Sequence, residues 1–559
     1  MKKLLFLAII ISFIPLGISE ARNGGEVSHF FVEPSYDLEN REELGGELVK
    51  ETEMLDFYID KSWWTERSSS DKSELEDSLE TLSEEFSENI YPQMTDRFGD
   101  TPDHPVDKSK KVSILIHPMK ERAGGYFNSG DQYSKYQNTR SNERTLLYLN
   151  TKVLNYEDKG GFLAHEFMHL LVFNQKERLR GVREEIWLNE ARAEFIPTLL
   201  GYDEMENSNL DRRINTFLRD PDISLTEWIG QKADYGVVNI FTQYMVDHYG
   251  MDVLIESLNH GEVGIESLNY ALEELDYDKD FHDVFNDFKV AVLVNDCELG
   301  ERYCFNSEDL KNLQVSPATN YMPYSEDSNL SVQYRTKNWA GNWHRITGGS
   351  GTLELEFKME KPLRVEVPYL LCSPEGDCEV DFMETENGEG FLEVEGFNDE
   401  YESLTIMPSV QAKTSGFNGA EDSFLFSWEA RVIPENSHEE TLEKLNRLRE
   451  LLEILQQKIQ EEESKIQEEE SKPSTCTING PLYRGATDSQ SIECLQRFLS
   501  TKPDVYPEGY ITGNFGPLTE AAVSRLQERY AEEVLHPLGL EEGTGYLGVR
   551  TISKINSLR

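Results

Sequence analysis

Hydrophobic positions divide the chain into stretches of different period. From Ser70 onward, Leu75, Leu79, Leu82, Phe86 and Ile90 recur on one helical face. Two short apolar runs, 111–117 (KVSILIH) and 145–150 (TLLYLN), predict strands, and the glycine-bearing AGGYFNSGD between them predicts a loop. Helical periods then dominate. Leu163, Phe167, Leu170, Leu171 and Phe173 mark one helix, WLNEARAEF opens a second, and 236–248, 251–259, 264–274 and 279–295 predict more. Residues 66–310 therefore read as one α+β domain, a strand-containing lobe followed by a helical one.

The texture changes at 315–434. SVQYRT, TLELEFKM, RVEVPYLLC, FLEVEGF, SLTIMPSV and SFLFSWEARV alternate apolar and polar residues between Gly, Asn and Asp, which predicts an antiparallel β-sandwich. Trp339 and Trp343 are assigned to its core or edge, because no polar cluster nearby would orient a sugar on them. Residues 435–472 form a charged helical linker. Leu445, Leu452, Ile459 and Ile466 share one heptad position, Leu448 and Leu455 another, and KIQEEES repeats at 458–464 and 465–471. Such a rod is either a short coiled coil that joins copies of the chain or a solitary charged spacer. The last stretch, 473–559, repeats a glycine turn, a capping Thr and an apolar helical face at 513–527 and 545–556, which predicts a small all-α domain.

A chain of 559 residues is too long for one core, and its net charge of −50 is extreme. That charge excludes nucleic acid and anionic lipid as partners, since phosphate contacts need Lys and Arg. It suits solubility in an extracellular setting. Ca²⁺ is the one further cofactor it would serve, with Asp100, Asp103 and Asp107 as the nearest cluster, although there is no EF-hand loop. Residues 1–21 have the basic start, apolar run and small-residue site of a signal peptide, so the chain is expected to be secreted, with no membrane span after removal. Residues 22–65 read as an acidic arm or propeptide. Six cysteines fall in three close pairs, Cys297/Cys304, Cys372/Cys378 and Cys476/Cys494, one per candidate domain, and local disulfides are expected.

The chemistry concentrates in GFLAHEFMHLLVF and WLNEARAEF. On a helix, His165 and His169 of HExxH share a face and can grip one Zn²⁺, while Glu166 can take a proton from water. Glu190 offers a third ligand, with Asn189 beside it, and Glu194 lies one turn on, where it can accept the outer N–H of a ligand histidine. HExxH followed by NExxAE is the pattern of the gluzincin metallopeptidases. With ENIYPQMTDRFGD, AGGYFNSGDQY, SNERTLLYLN and LAHEFMHLLVFNQ, residues 70–290 resemble the hyicolysin branch of that clan. The resemblance implies a zincin-like fold and a secreted zinc endopeptidase with ligands His165, His169 and Glu190 and general base Glu166. It also implies that the 145–150 strand is the sheet edge that pairs with a protein or peptide substrate. Tyr235 stands where relatives carry an oxyanion-stabilising Tyr, with His248 as the runner-up. Ala191 departs from the usual WLNEG, but Ala is the better helix former. The last unit, with SIECLQRFL as its first helix, resembles peptidoglycan-binding domains, which implies attachment to a cell wall. Two other functions stay open, a peptidoglycan cross-bridge hydrolase and a non-catalytic wall-binding protein.

Overall fold

The computed structural model describes residues 25–104, 108, 110–121, 123–205, 207–323, 328–360, 366–434, 445, 447–459 and 476–559. The chain forms two compact units, one ending at Ser437 and one starting at His438. It is a multidomain, mixed α and β protein. The signal-peptide stretch and Asp107 lie outside the described residues.

The first unit begins with a sheet of six strands: β1 (Val27–Phe31), β2 (Glu43–Glu51), β3 (Leu55–Asp60), β4 (Val112–His117), β5 (Gly125–Phe127) and β6 (Leu146–Asn150). Their order is β1-β2-β3-β4-β6-β5, with β3, β4 and β6 parallel and the other pairings antiparallel. Two expectations are corrected here. The stretch 22–65 is not a loose arm over the folded domain, because β1–β3 are half of the sheet and Phe30, Val32, Leu44 and Leu48 cover its outer face. GELVKE and MLDFYID do alternate, but the acidic residues on the wet face hide the period. The sheet edge is also not 145–150, since β6 pairs on both sides and β5, expected to be loop, is the open edge. Three residues starting with glycine are too few to show alternation.

Helices α1 (Lys61–Thr65), α2 (Ser69–Glu85) and α3 (Tyr91–Phe98) follow β3, and α2 runs into α3 through a π-helical turn at Phe86–Ile90. After β6 come α4 (Lys159–Val172), α5 (Ile186–Leu199), α6 (Asn209–Arg219), α7 (Lys232–Tyr249), α8 (Met251–Leu258), α9 (Gly264–Glu274) and α10 (Phe281–Val294). Leu79, Phe86, Phe167, Leu170 and Ile114 share one core between the sheet and α2–α4.

Nine strands complete this unit: β7 (Ala318–Met322), β8 (Ser328–Lys337), β9 (His344–Gly348), β10 (Gly351–Met359), β11 (Val367–Cys372), β12 (Cys378–Met383), β13 (Glu389–Phe397), β14 (Ser403–Ile406) and β15 (Ser423–Ile433). They make sheets β13-β10-β15-β8 and β12-β11-β14-β9-β7 around a common core, antiparallel except for β7 with β9. The sandwich is not independent of the helices. Trp339, Trp343, Leu370, Met407 and Phe417 belong to the same core as α5, α7 and α10. Lys289 of α10 donates to the Met407 carbonyl at 2.7 Å, and the Leu225 N–H donates to the Trp339 carbonyl at 2.8 Å. No boundary at 310–315 separates two cores.

In the second unit, residues 447–459 are helical, and Leu448, Leu451, Leu452, Leu455 and Ile459 are exposed. Most of the KIQEEES repeat lies outside the described residues. Helices Ser489–Ser500, Pro517–Arg529 and Val549–Leu558 enclose a core of Leu495, Leu499, Val523, Leu526 and Ile555. The sequence repeat has a structural basis. Gln496 accepts from the Thr512 and Gly513 N–H groups, and Gln527 accepts from those of Thr544 and Gly545. The two side chains also donate to the hydroxyls of Thr519 and Thr551.

All three expected cysteine pairs are disulfides, Cys297–Cys304, Cys372–Cys378 and Cys476–Cys494. Cys494 has a second attachment besides its disulfide. It is buried in the core of the second unit, on the same helix as Leu495 and Leu499. Its sulfur accepts from the Arg559 guanidinium at 3.0 Å, and Arg559 also donates to the Cys476 carbonyl at 2.7 Å. The disulfide closes a loop, and the Arg559 hydrogen bonds tie Arg559 to the first helix of this unit. Among the described residues no helix is long and apolar enough to cross a membrane.

Candidate metal centre

Helix α4 is apolar almost all round, with Leu163, Ala164, Phe167, Met168, Leu170 and Leu171 buried, so its orientation is fixed by packing. His165 and His169 face α5, where Asn189, Glu190 and Glu194 are presented. The two Nε2 atoms are 3.2 Å apart, and Glu190 Oε2 lies 3.5 Å from the first and 3.7 Å from the second. Tetrahedral bonds of about 2.0–2.1 Å would separate ligand atoms by about 3.3–3.4 Å. These donors are spaced to share one small cation. Glu190 Oε2 is buried without a hydrogen-bond partner, as a waiting ligand atom would be. No other His, Cys, Asp or Glu group among the described residues meets in this way. Asp100 and Asp103 both pair with Lys110, at 3.1 Å and 3.3 Å, and Asp107, the third member of that cluster, lies outside the described residues.

The outer ring nitrogens are held as well. His169 Nδ1 is 3.0 Å from Asn189 Oδ1, and His165 Nδ1 is 3.5 Å from Glu194 Oε1. These contacts leave both Nε2 atoms turned inward. Glu194 is fixed in turn by two hydrogen bonds from Arg213, at 2.6 Å and 2.8 Å, and one from Asn209 at 2.9 Å. Burial alone would raise its pKa, but the Arg213 charge and these bonds outweigh burial and hold it at about 2.

Glu166 sits beside the ligands, with its Oε2 unpartnered. Burial, reinforced by Glu190 and Glu194 against the opposing charge of His165, pushes it up to about 8. Burial pulls His165 down, yet the Glu190 carboxylate 3.5 Å away and the neighbouring Glu166 and Glu194 raise it to about 9. Burial keeps His169 below its ordinary value. A dication among these groups would offset the crowding of carboxylates.

The site opens into a cleft of about 810 Å³. Edge strand β5 forms one wall. A Cβ on Gly125 would lie 2.5 Å from the Tyr148 carbonyl oxygen and 2.9 Å from the Glu166 side chain, so only glycine lets this strand lie against Glu166. Tyr235 lines the cleft, between Trp228 and the Arg213 guanidinium, 4.8 Å from each. Burial and the nearby Glu190 raise its pKa, which keeps the hydroxyl a proton-bearing donor. His248 does not line the cleft; its Nε2 lies 2.8 Å from the Cys304 carbonyl, a structural role.

Some cleft residues carry no sequence signal. Tyr36, from the stretch expected to be an arm, stacks on Tyr126 at 4.9 Å, and its pKa is raised by burial and by the charges of Glu190 and Glu166. Arg213 and Asn209 reach Glu194 from α6, whose face toward the site shows only once the helix is packed. The AGGYF glycines are a visible clue to close approach.

No protein-family model matches the chain, and no curated protein matches it. Among solved structures, it is similar to the pre-peptidase C-terminal domain of collagenase from Bacillus anthracis, with 5% identity, 21% of this chain and 96% of that chain covered, and a TM-score of 0.15. It is also similar to PliG, a periplasmic lysozyme inhibitor from Aeromonas hydrophila, with 7% identity, 21% and 97% covered, and a TM-score of 0.14. Likenesses this slight transfer neither fold nor function.

Proposed function

We propose that the first unit is a zinc-dependent endopeptidase of gluzincin type, similar to the hyicolysin branch, secreted and held at a cell wall by the second unit. The observation that carries this reading is the convergence of His165, His169 and Glu190 beside the unpartnered Glu166 carboxylate in an open cleft. Zn²⁺ bound there would polarise water and the peptide carbonyl. Glu166 accepts a proton from the attacking water and passes it to the leaving amine. The Tyr235 hydroxyl donates to the developing oxyanion. Asn189 and Glu194 keep the imidazoles in the ligating tautomer. Just before β5, the Gly124 carbonyl accepts from the Asn150 N–H, so alternation turns the main-chain groups of Gly125 and Phe127 outward. An extended peptide can pair there through its backbone, with loose sequence preference.

The wall-binding part of the proposal is supported by the separate core of the second unit and by exposed Tyr483 and Tyr546, stacked 6.0 Å apart. The exposed leucines of the 447–459 helix support a coiled coil between copies. The test is metal content of the purified full chain with casein and sacculus digestion, with and without a chelator. One zinc per chain and chelator-sensitive casein hydrolysis are expected. Digestion of sacculi alone would replace the reading with a cross-bridge hydrolase, and zinc-loaded protein inert on both would overturn it.

A further inference from the structure

The walls of the cleft break the charge rule of the chain. Acidic residues outnumber basic ones by 104 to 54 overall. Yet the face of α6 that lines the cleft carries Arg212, Arg213 and Arg219 and no carboxylate. Arg212 and Arg219 are two turns apart and share one stripe, while Arg213 lies about a quarter turn to the side. Leu210 and Phe217, opposite Arg212 and Arg219, are buried and fix that stripe toward the cleft. Lys232, at the start of α7, and Lys152, beyond β6, line the same cavity.

These cations differ in how far they are neutralised. Arg213 is committed to Glu194, and Arg212 pairs with Asp158 at 3.0 Å. Arg219, Lys232 and Lys152 are exposed and have no carboxylate within 4.0 Å among the described residues. On the opposing side, Glu177 pairs with Arg183, and Glu184 pairs with Arg192. Glu121 is the one exposed lining carboxylate outside such a pair. A cleft with low-dielectric walls focuses the field of uncompensated charge on whatever enters it.

We infer that this cleft selects peptides bearing aspartate or glutamate near the bond presented to Glu166, with Arg219, Lys232 and Lys152 as the recognising cations. The inference rests on the endopeptidase reading and adds its substrate class. Recognition by exposed cations lowers KM more than it raises kcat, and it fades with salt.

The experiment uses zinc-loaded full-length protein and paired quenched-fluorescent peptides that differ only in Asp/Glu against Asn/Gln on either side of the cleaved bond. The acidic peptide should have a kcat/KM about 10-fold higher, mostly through KM, and the ratio should approach one in 1 M salt. The double variant Arg219→Glu, Lys232→Glu should reverse the preference with an unchanged melting temperature. A wild-type ratio of one, or an acidic preference that survives high salt, overturns the inference whether or not that variant folds. If neither peptide nor casein is cut, the endopeptidase reading fails by itself. The charge inference is then decided by fluorescence anisotropy of the two labelled peptides on Glu166→Gln protein, where equal affinities overturn it.

Discussion

Replacing Trp339 with alanine tests whether the sandwich and the helices that carry the candidate metal ligands are one cooperative body. The Trp339 ring is fully buried and packs edge-on against Phe281 at 4.8 Å and Phe285 at 5.4 Å, both from α10. Its indole N–H donates to the Lys413 carbonyl at 2.6 Å. Truncation should cost about 3–5 kcal/mol for the cavity, plus about 1 kcal/mol for the carbonyl left without its donor. The same seam reaches α5, which carries Glu190. The Gly416 and Phe417 N–H groups donate to Glu185 Oε1, just before α5, and the Trp187 indole donates to Glu185 Oε2. Unfolding entropy of about 2 cal/mol/K per residue gives on the order of 0.8 kcal/mol/K for a unit of roughly four hundred residues, so its melting temperature should fall by about 5–7 °C. Differential scanning calorimetry of the full chain reads this, with the second unit as an unaffected internal reference. Two first-unit transitions, of which only the sandwich one moves, would refute the shared core.

Glu166→Gln should retain zinc and fold but lose hydrolysis, as followed by metal analysis and peptide turnover, because the amide cannot accept the proton. Glu190→Ala should abolish stoichiometric zinc, whereas Glu194→Ala should weaken binding only about 10–100-fold; equal losses in a competitive chelator titration would mean the third ligand is another residue. Gly125→Ala should keep zinc but lower kcat/KM by about 100-fold, since the new methyl displaces the edge strand from Glu166; a wild-type value would show that the strand does not position substrate. His344, buried among Tyr334, Phe426 and Trp428, is pushed down to about 4 by burial. The unfolded chain, titrating near 6.5, then binds more protons between pH 6.5 and 4, so this contribution is present above pH 6.5 and lost as pH falls toward 4. Denaturation of His344→Phe at pH 7 and 4.5 should show a pH loss smaller than wild type by up to about 3 kcal/mol; an unchanged loss would remove His344 from the acid response.

What the sequence makes legible follows from where periodicity survives. Helices α2 and α9 are readable because each buries one face, which repeats every 3.6 residues, whereas α4, α7 and α10 are readable as long, mostly apolar runs. Sandwich strands such as β10, β13 and β15 are readable because one side is wet. Domain limits are not. Trp339 and Phe417 look like ordinary sandwich residues until α10 is placed against them, and no local pattern records which of two cores a side chain enters. Cys494 is a parallel case, since its spacing from Cys476 predicts the bond but not the Arg559 guanidinium that reaches the same sulfur.

The same distinction divides the site. His165, Glu166 and His169 fall on one helix, so their relation is a spacing in sequence, and Glu190 with Glu194 repeats the case on α5. The groups that shape access come from elsewhere: Tyr36 from before the first helix, Gly125 from a three-residue strand, and the arginine stripe from α6. Their roles exist only through tertiary proximity. A spacing motif can therefore name the atoms able to hold a cation, while the substrate they meet is set by residues whose sequence separation carries no information. For this reason the charge of the whole chain, −50, misleads about its cleft. The acidic surface gives the exposed cations of one wall a contrast, and the proposed selection of acidic peptides rests on that contrast.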